Sequence, residues 1–177
     1  MRSKNETSGQ EGGADGGLRL RPPRNPVDSR AVRWWTGQAA VLVAPPVLVL
    51  VLLALLIPPA RFWLLLPALV IAVPGAAYVA VMPRWRFRVH RWETTDDAVY
   101  AASGWIWQKW RVAPMSRIQT VDTVRGPLQQ IFGLAGVTVT TASAAGAIKI
   151  NGLDHVLAAD LVERLTARTQ DTPGDAT

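Results

Sequence analysis

The sequence predicts a membrane helical hairpin followed by a small α+β domain, a short-stranded barrel or sandwich closed by a C-terminal helix. Three observations predict it. Two runs without a charged residue, Gln38 to Ile57 and Phe62 to Met82, each supply about the 20 residues a helix needs to cross about 30 Å of hydrocarbon. Downstream, the pattern changes to short period-two segments separated by Gly and polar turns. The chain then ends in one amphipathic run from His155 to Arg168. Apolar residues make up 49% of the 177-residue chain, and they are clustered rather than spread, which favours a membrane segment plus a small domain over one ordinary globular domain.

Residues 1–33 are expected to be a disordered basic tail, because SGQEGGADGG and RLRPPRNP offer Gly, Pro and polar residues but little to bury. Seven basic residues against four acids leave a surplus of +3, which an anionic inner leaflet attracts. The first apolar run starts too far from Met1, and lacks a small-residue cleavage site, to read as a removable signal peptide.

The hairpin is expected over 34–85. Arg19, Arg21, Arg24, Arg30 and Arg33 precede the first run, Arg84, Arg86, Arg88 and Arg91 follow the second, and only Arg61 lies between them. By the positive-inside rule both termini and the domain face the cytoplasm of a bacterial plasma membrane. Trp34, Trp35, Phe62, Trp63 and Trp85 fit aromatic belts at the two interfaces. Pro58 and Pro59 end the first helix, and so short a connection makes the spans antiparallel neighbours. Ala72, Ala76 and Ala80 form a small-residue stripe for the first helix to pack on. Pro45, Pro46, Pro67 and Pro74 lie inside the spans and are expected to kink them, but no titratable side chain accompanies them, so the hairpin reads as an anchor and not as an ion path.

In the domain, RFRVHRW alternates as a first strand, ETTDD turns, AVYAAS forms a second strand and Gly104 turns the chain again. WIWQKWRV reads as a third strand, with Trp105, Trp107, Lys109 and Arg111 on one face and Ile106, Gln108, Trp110 and Val112 on the other. RIQTVDTV is a fourth, ended by Gly126-Pro127. Leu128, Ile131 and Phe132 then fall at helical spacing and are expected in the core, with Gln129 and Gln130 in water and Gly133 as the C-cap. GVTVTT puts Val137 and Val139 inward, SAAG turns, and AIKIN is the last strand. Asp154 caps a helix whose buried face is Leu157, Leu161 and Leu165, helped by Ala158 and Val162, while Asp160 and Arg164 pair on the other face. The outline is a pleckstrin-homology-type barrel over 86–169, with 84–169 expected to fold without the spans and 170–177 as a disordered tail.

Several function classes find no support. Between Pro83 and Thr177 eleven basic residues face nine acids, a surplus of only +2, with no basic recognition face for nucleic acid. There is no Cys, and His90 and His155 have no neighbour at ligand spacing, so no metal site is expected. GxGxxG, a Walker lysine loop and HExxH are all missing. No catalytic residues and no cofactor are expected.

The turn TTDDAV, the SG before the third strand, the segment VAPMSRIQTVDTVRGPLQQIFGLAGVTVTTASA and the NGLDH helix start together resemble the bacterial PH-like domain. With two preceding spans, the chain is similar to the YdbS-like membrane proteins. The resemblance implies a PH-like fold on a membrane hairpin, in a family whose biochemical activity is mostly unassigned. It does not imply phosphoinositide binding, because the first hairpin loop, basic in lipid-binding members, is here Glu93-Thr94-Thr95-Asp96-Asp97.

The expected role is a non-enzymatic, membrane-anchored binding or scaffold module working with a protein partner or a second copy. An accessory subunit of a membrane enzyme or transporter is the alternative. A sensor of anionic lipid headgroups, resting on Arg84, Arg86, Arg88 and Arg91, is a further one. Trp105, Trp107, Lys109 and Arg111 are the candidate docking face. If Trp105 and Trp107 are not core, Ile106, Trp110 and Val112 must be the buried set.

Overall fold

The computed structural model describes residues 23–142 and 146–171. The expectations for residues 1–22 and 172–177, and most of the SAAG turn, lie outside the described residues. Helices α1 (Arg30–Leu56) and α2 (Arg61–Val89) form the hairpin, joined by a short 3-10 turn over Pro58–Ala60. They run through their internal prolines without interruption. In the most apolar window of each helix only 11% of residues are buried, so these are membrane spans exposing leucines to lipid and not core helices of a soluble fold.

The seam between the spans is set by Ala68, Gly75 and Met82, spaced seven apart. A Cβ on Gly75 would meet Val43 Cγ1 at 2.4 Å, so only glycine permits this approach. The expected stripe lies only partly on the seam: Ala72 is half-buried, and Ala76 and Ala80 are exposed. Four-residue spacing drifts about 40° per step around a 3.6-residue helix, which carries the stripe off the contact line.

The domain holds two antiparallel sheets. One has the order β1 (Asn25–Pro26), β2 (Arg91–Thr94), β3 (Ala98–Gly104), β4 (Gln108–Pro114); the other is β5 (Ile118–Val124), β6 (Leu134–Thr141), β7 (Ile148–Asp154). The short 3-10 turn Met115–Arg117 carries the chain from one sheet to the other, the one-turn helix α3 (Pro127–Ile131) lies in the connection between β5 and β6 of the same sheet, and α4 (His155–Asp171) packs on β5, β6 and β7. Val137, Val139, Ile148 and Ile150 point inward as their alternation predicts, and Asp154 Oδ1 accepts the Val156 N–H at 2.9 Å as the N-cap of α4.

Several boundaries and faces differ from the pattern-based reading. The segment expected as the first strand is helical as far as Val89, because nothing after Pro83 breaks the helix and its arginines alternate as well with a helix end as with a strand. The ordered chain begins well before residue 34: Asn25 and Pro26 pair with β2, and α1 starts at Arg30. On α3, Gln129 is buried and Ile131 is 74% exposed, the reverse of expectation. The reason is local: Gln129 Oε1 accepts the Gly126 N–H at 2.8 Å, and that bond turns the Gln side chain inward within a single helical turn.

One hydrophobic core joins domain and hairpin. Val27 just ahead of α1, with Ala31, Trp34, Trp35, Ala39 and Met82 from the two helices, packs in the same cluster as Leu134, Val137, Leu153, Leu161 and Leu165. This packing opposes the expectation that residues 84–169 fold alone, since that fragment lacks the whole α1 contribution.

On α4 the buried set is Ala158, Leu161 and Leu165, while Leu157 is 42% exposed. Leu165→Ala should therefore cost about 2–5 kcal/mol, and Leu157→Ala under about 1 kcal/mol. Thermal melts of the full chain in detergent separate the two; equal losses would contradict this packing.

Candidate functional site

The joint between hairpin and domain is the most constructed part of the molecule. Asp28 N–H donates to Gly152 C=O at 2.9 Å, which pins the start of α1 to β7. Gly152 has φ +84°, and a Cβ there would lie 2.8 Å from the Ala31 Cβ, so glycine lets β7 reach α1. Arg30 then ties three segments together: its guanidinium donates to Asp28 at 3.0 Å, to Phe132 C=O at 3.4 Å and to Asp154. These bonds hold the carboxyl groups of Asp28 and Asp154 below the usual carboxylate range.

One turn further along α1, Trp34 and Trp35 were expected at a lipid interface, yet both are buried in the shared core. The Trp35 ring lies 4.9 Å from the His90 ring and 4.8 Å from the Arg86 guanidinium, centroid distances that bring the two helix ends together. His90 is buried and its Nδ1 bonds Arg86 C=O at 2.9 Å; since a carbonyl only accepts, Nδ1 carries the proton. Burial, reinforced by the neighbouring Arg86 charge, pushes the His90 pKa down to about 4. Pattern reading passed over His90 for want of a ligand partner. No local signal marked it, because its burial depends on Trp35 packing across from the other helix.

The candidate docking face does not assemble as expected. β4 begins at Gln108, so Trp105, Ile106 and Trp107 form the turn after β3 and do not alternate. Trp105 packs edge-on against Tyr78 of α2 with centroids 5.3 Å apart. Trp107 is 83% exposed, Lys109 is exposed, and Arg111 is half-buried, donating to Ala147 C=O at 2.7 Å. Neither face of the expected strand is a core face: Ile106 is 71% and Trp110 53% exposed.

The four arginines after the span do not act as one cluster. Arg84 donates to Ala80 C=O at 2.7 Å, Arg86 stacks on Trp35, Arg91 donates to Arg24 C=O at 3.2 Å, and Arg88 is exposed. In the first hairpin loop, Asp96 pairs with Arg168 of α4 and Glu93 accepts the Arg24 N–H at 3.3 Å, so the loop is engaged within the fold.

Two surfaces stay open. A groove of about 680 Å³ runs between the spans, walled by Ala40, Ala44, Ala72, Ala76 and Ala80, with Arg33 and Arg84 at its charged end. The second is the aromatic turn after β3. Among the described residues no group of three His, Asp or Glu side chains is placed to hold a metal ion.

The family model for the bacterial PH domain matches residues 39–169. The chain belongs to the bacterial PH domain family. The match begins inside α1, after Trp34 and Trp35, so in this bacterial PH-domain protein most of the hairpin and the folded domain fall within one matched unit. The chain is also similar to the UPF0699 transmembrane protein YdbS of Bacillus subtilis (strain 168), with 26% identity over 157 residues, covering 84% of this chain and 96% of that protein. No solved structure matches it. Fold, spans and family together describe a membrane protein carrying a PH-like module.

The His90 environment fixes a pH dependence. Between pH 6.5 and about 4 the unfolded chain takes up a proton that folded His90 refuses, so stability is full above pH 6.5 and falls as the pH drops through this window. The loss amounts to about 3 kcal/mol. Asp28 and Asp154 act in the same direction but only at more acid pH, below the ordinary carboxylate value of 3.8. His90→Gln, which keeps a donor for Arg86 C=O, should flatten melting temperature against pH between 6.5 and 4; an unchanged slope would show that His90 does not cause it.

Proposed function

We infer that this protein is a non-enzymatic scaffold of the bacterial plasma membrane, with its PH-like domain on the cytoplasmic side and a partner protein's membrane helix seated between its spans. The observation that carries this reading is the shared core. A domain whose interior includes Ala31, Trp34 and Trp35 from α1 is not loosely tethered, so what engages the spans has a fixed geometry to the domain. The groove supplies the contact, since small residues let a third helix approach backbone to backbone, where packing drives association in lipid. A second copy or a subunit of a membrane enzyme or transporter would each fit that role.

Arg33 and Arg84 at the charged end favour one other reading, a sensor of anionic lipid, with an acyl chain along the alanines and the headgroup on the two guanidinium groups. The arginine distribution supports the cytoplasmic orientation.

Both parts are testable in cells. Because the chain has no Cys, single cysteines give a clean readout: an impermeant thiol reagent on intact cells should label Ala60→Cys and spare Ser116→Cys, and the opposite pattern would overturn the orientation. A photocrosslinking residue at Ala76 should trap one protein in a discrete band, lost when Ala80→Trp fills the groove. A lipid adduct instead would replace the scaffold reading with the sensor.

A further inference from the structure

We propose that the turn between β3 and β4 enters the lipid interface of the leaflet at the charged end of the spans, giving the domain a third point of membrane contact. Trp105 meets Tyr78, and Tyr78 lies four residues inside the end of the uncharged run at Met82, about 6 Å toward the bilayer centre at 1.5 Å per residue. Measured from Arg84, the first charge of that belt, Tyr78 is six residues and about 9 Å deeper. Headgroup regions are about 5–8 Å thick on each side of the hydrocarbon, so a ring in contact with Tyr78 stands on the lipid side of the arginines.

The composition of the turn fits that depth. Ile106 and Trp107 are the turn's exposed tip, and Trp110 follows on β4. The backbone presents them outward: Gly104 has φ +130°, and a Cβ there would come within 1.9 Å of Trp107 C=O, so the turn is too tight to tuck these side chains under itself. Trp85 of α2 borders the same open cleft with Trp105 and Ile106. Tryptophan combines a large apolar ring with one N–H donor, and headgroup level satisfies both. Exposed Lys109 follows two residues after Trp107, about 7 Å back along the strand, where anionic phosphates complement it. The patch is continuous with the lipid-facing surface of α2, which selects the bilayer as its occupant over a soluble partner. This contact is independent of what fills the groove between the spans.

The test uses the full chain in phosphatidylethanolamine and phosphatidylglycerol vesicles, with single spin-labelled cysteines replacing Trp107, Ile106 or, as the water reference at the far end of β4, Ser116. A cooperative melt certifies each variant, and either turn position suffices if the other misfolds. The turn labels should collide severalfold more with oxygen, and severalfold less with a soluble nickel chelate, than the Ser116 label. Nickel accessibility at the turn equal to that at Ser116 would overturn the proposal and leave the aromatics to a protein partner.

Discussion

Trp35 is the contact from which the architecture follows. Its indole is fully enclosed at the point where α1 leaves the bilayer, with Trp34, His90 and the Arg86 guanidinium against it, and its Nε1 has no hydrogen-bond partner among the described residues. An unpaired buried N–H costs about 1–3 kcal/mol, so the burial persists only because the ring contacts and the apolar area outweigh that loss. Moving the ring would separate α1 from the end of α2 and open the domain core from below. Burial of His90 beside it follows, and that burial, reinforced by the charge of Arg86, keeps the imidazole neutral.

The Arg30 network completes the same joint one and a half turns earlier. Asp28 and Asp154 come from segments far apart in sequence, and a single guanidinium binds both while also reaching Phe132 C=O. Lysine could not reproduce this, since a point charge lacks the planar fork that satisfies three acceptors in fixed directions. Domain position is thus set by two layers, apolar packing around Trp35 and directional bonds around Arg30. The aromatic turn and the groove between the spans take their placement from these layers together with contacts of their own, Trp105 on Tyr78 and Gly75 against Val43.

Much of the fold could be read from the sequence because hydrocarbon and sheet pleat impose simple periods. Twenty uncharged residues, alternating valines in VTVT and an Asp ahead of an amphipathic run each have one economical explanation, and each stands where expected. What escaped reading depended on tertiary placement. A helix that continues past the membrane and a strand can share the pattern RFRVHRW, and nothing local tells them apart. Trp34 and Trp35 carry the same signature whether they face headgroups or a protein core, and only the position of β7 against α1 decides. The candidate site was legible as an aromatic-basic segment but not as a geometry, because a turn centred on Ile106 abolishes the alternation on which a shared face depended. Leu157 fell off the buried face because four-residue spacing drifts about 40° per step around a helix, which carries it off the line of Leu161 and Leu165.

Spans and domain form one rigid body through the joint at Trp35. Spin labels on Ala60→Cys and Ser116→Cys in the same chain would report it, since one sits at the hairpin turn and the other on the domain. In vesicles the account predicts a single narrow distance distribution that broadens only when Trp35 is replaced by Ala. A broad distribution in the unaltered chain would contradict it.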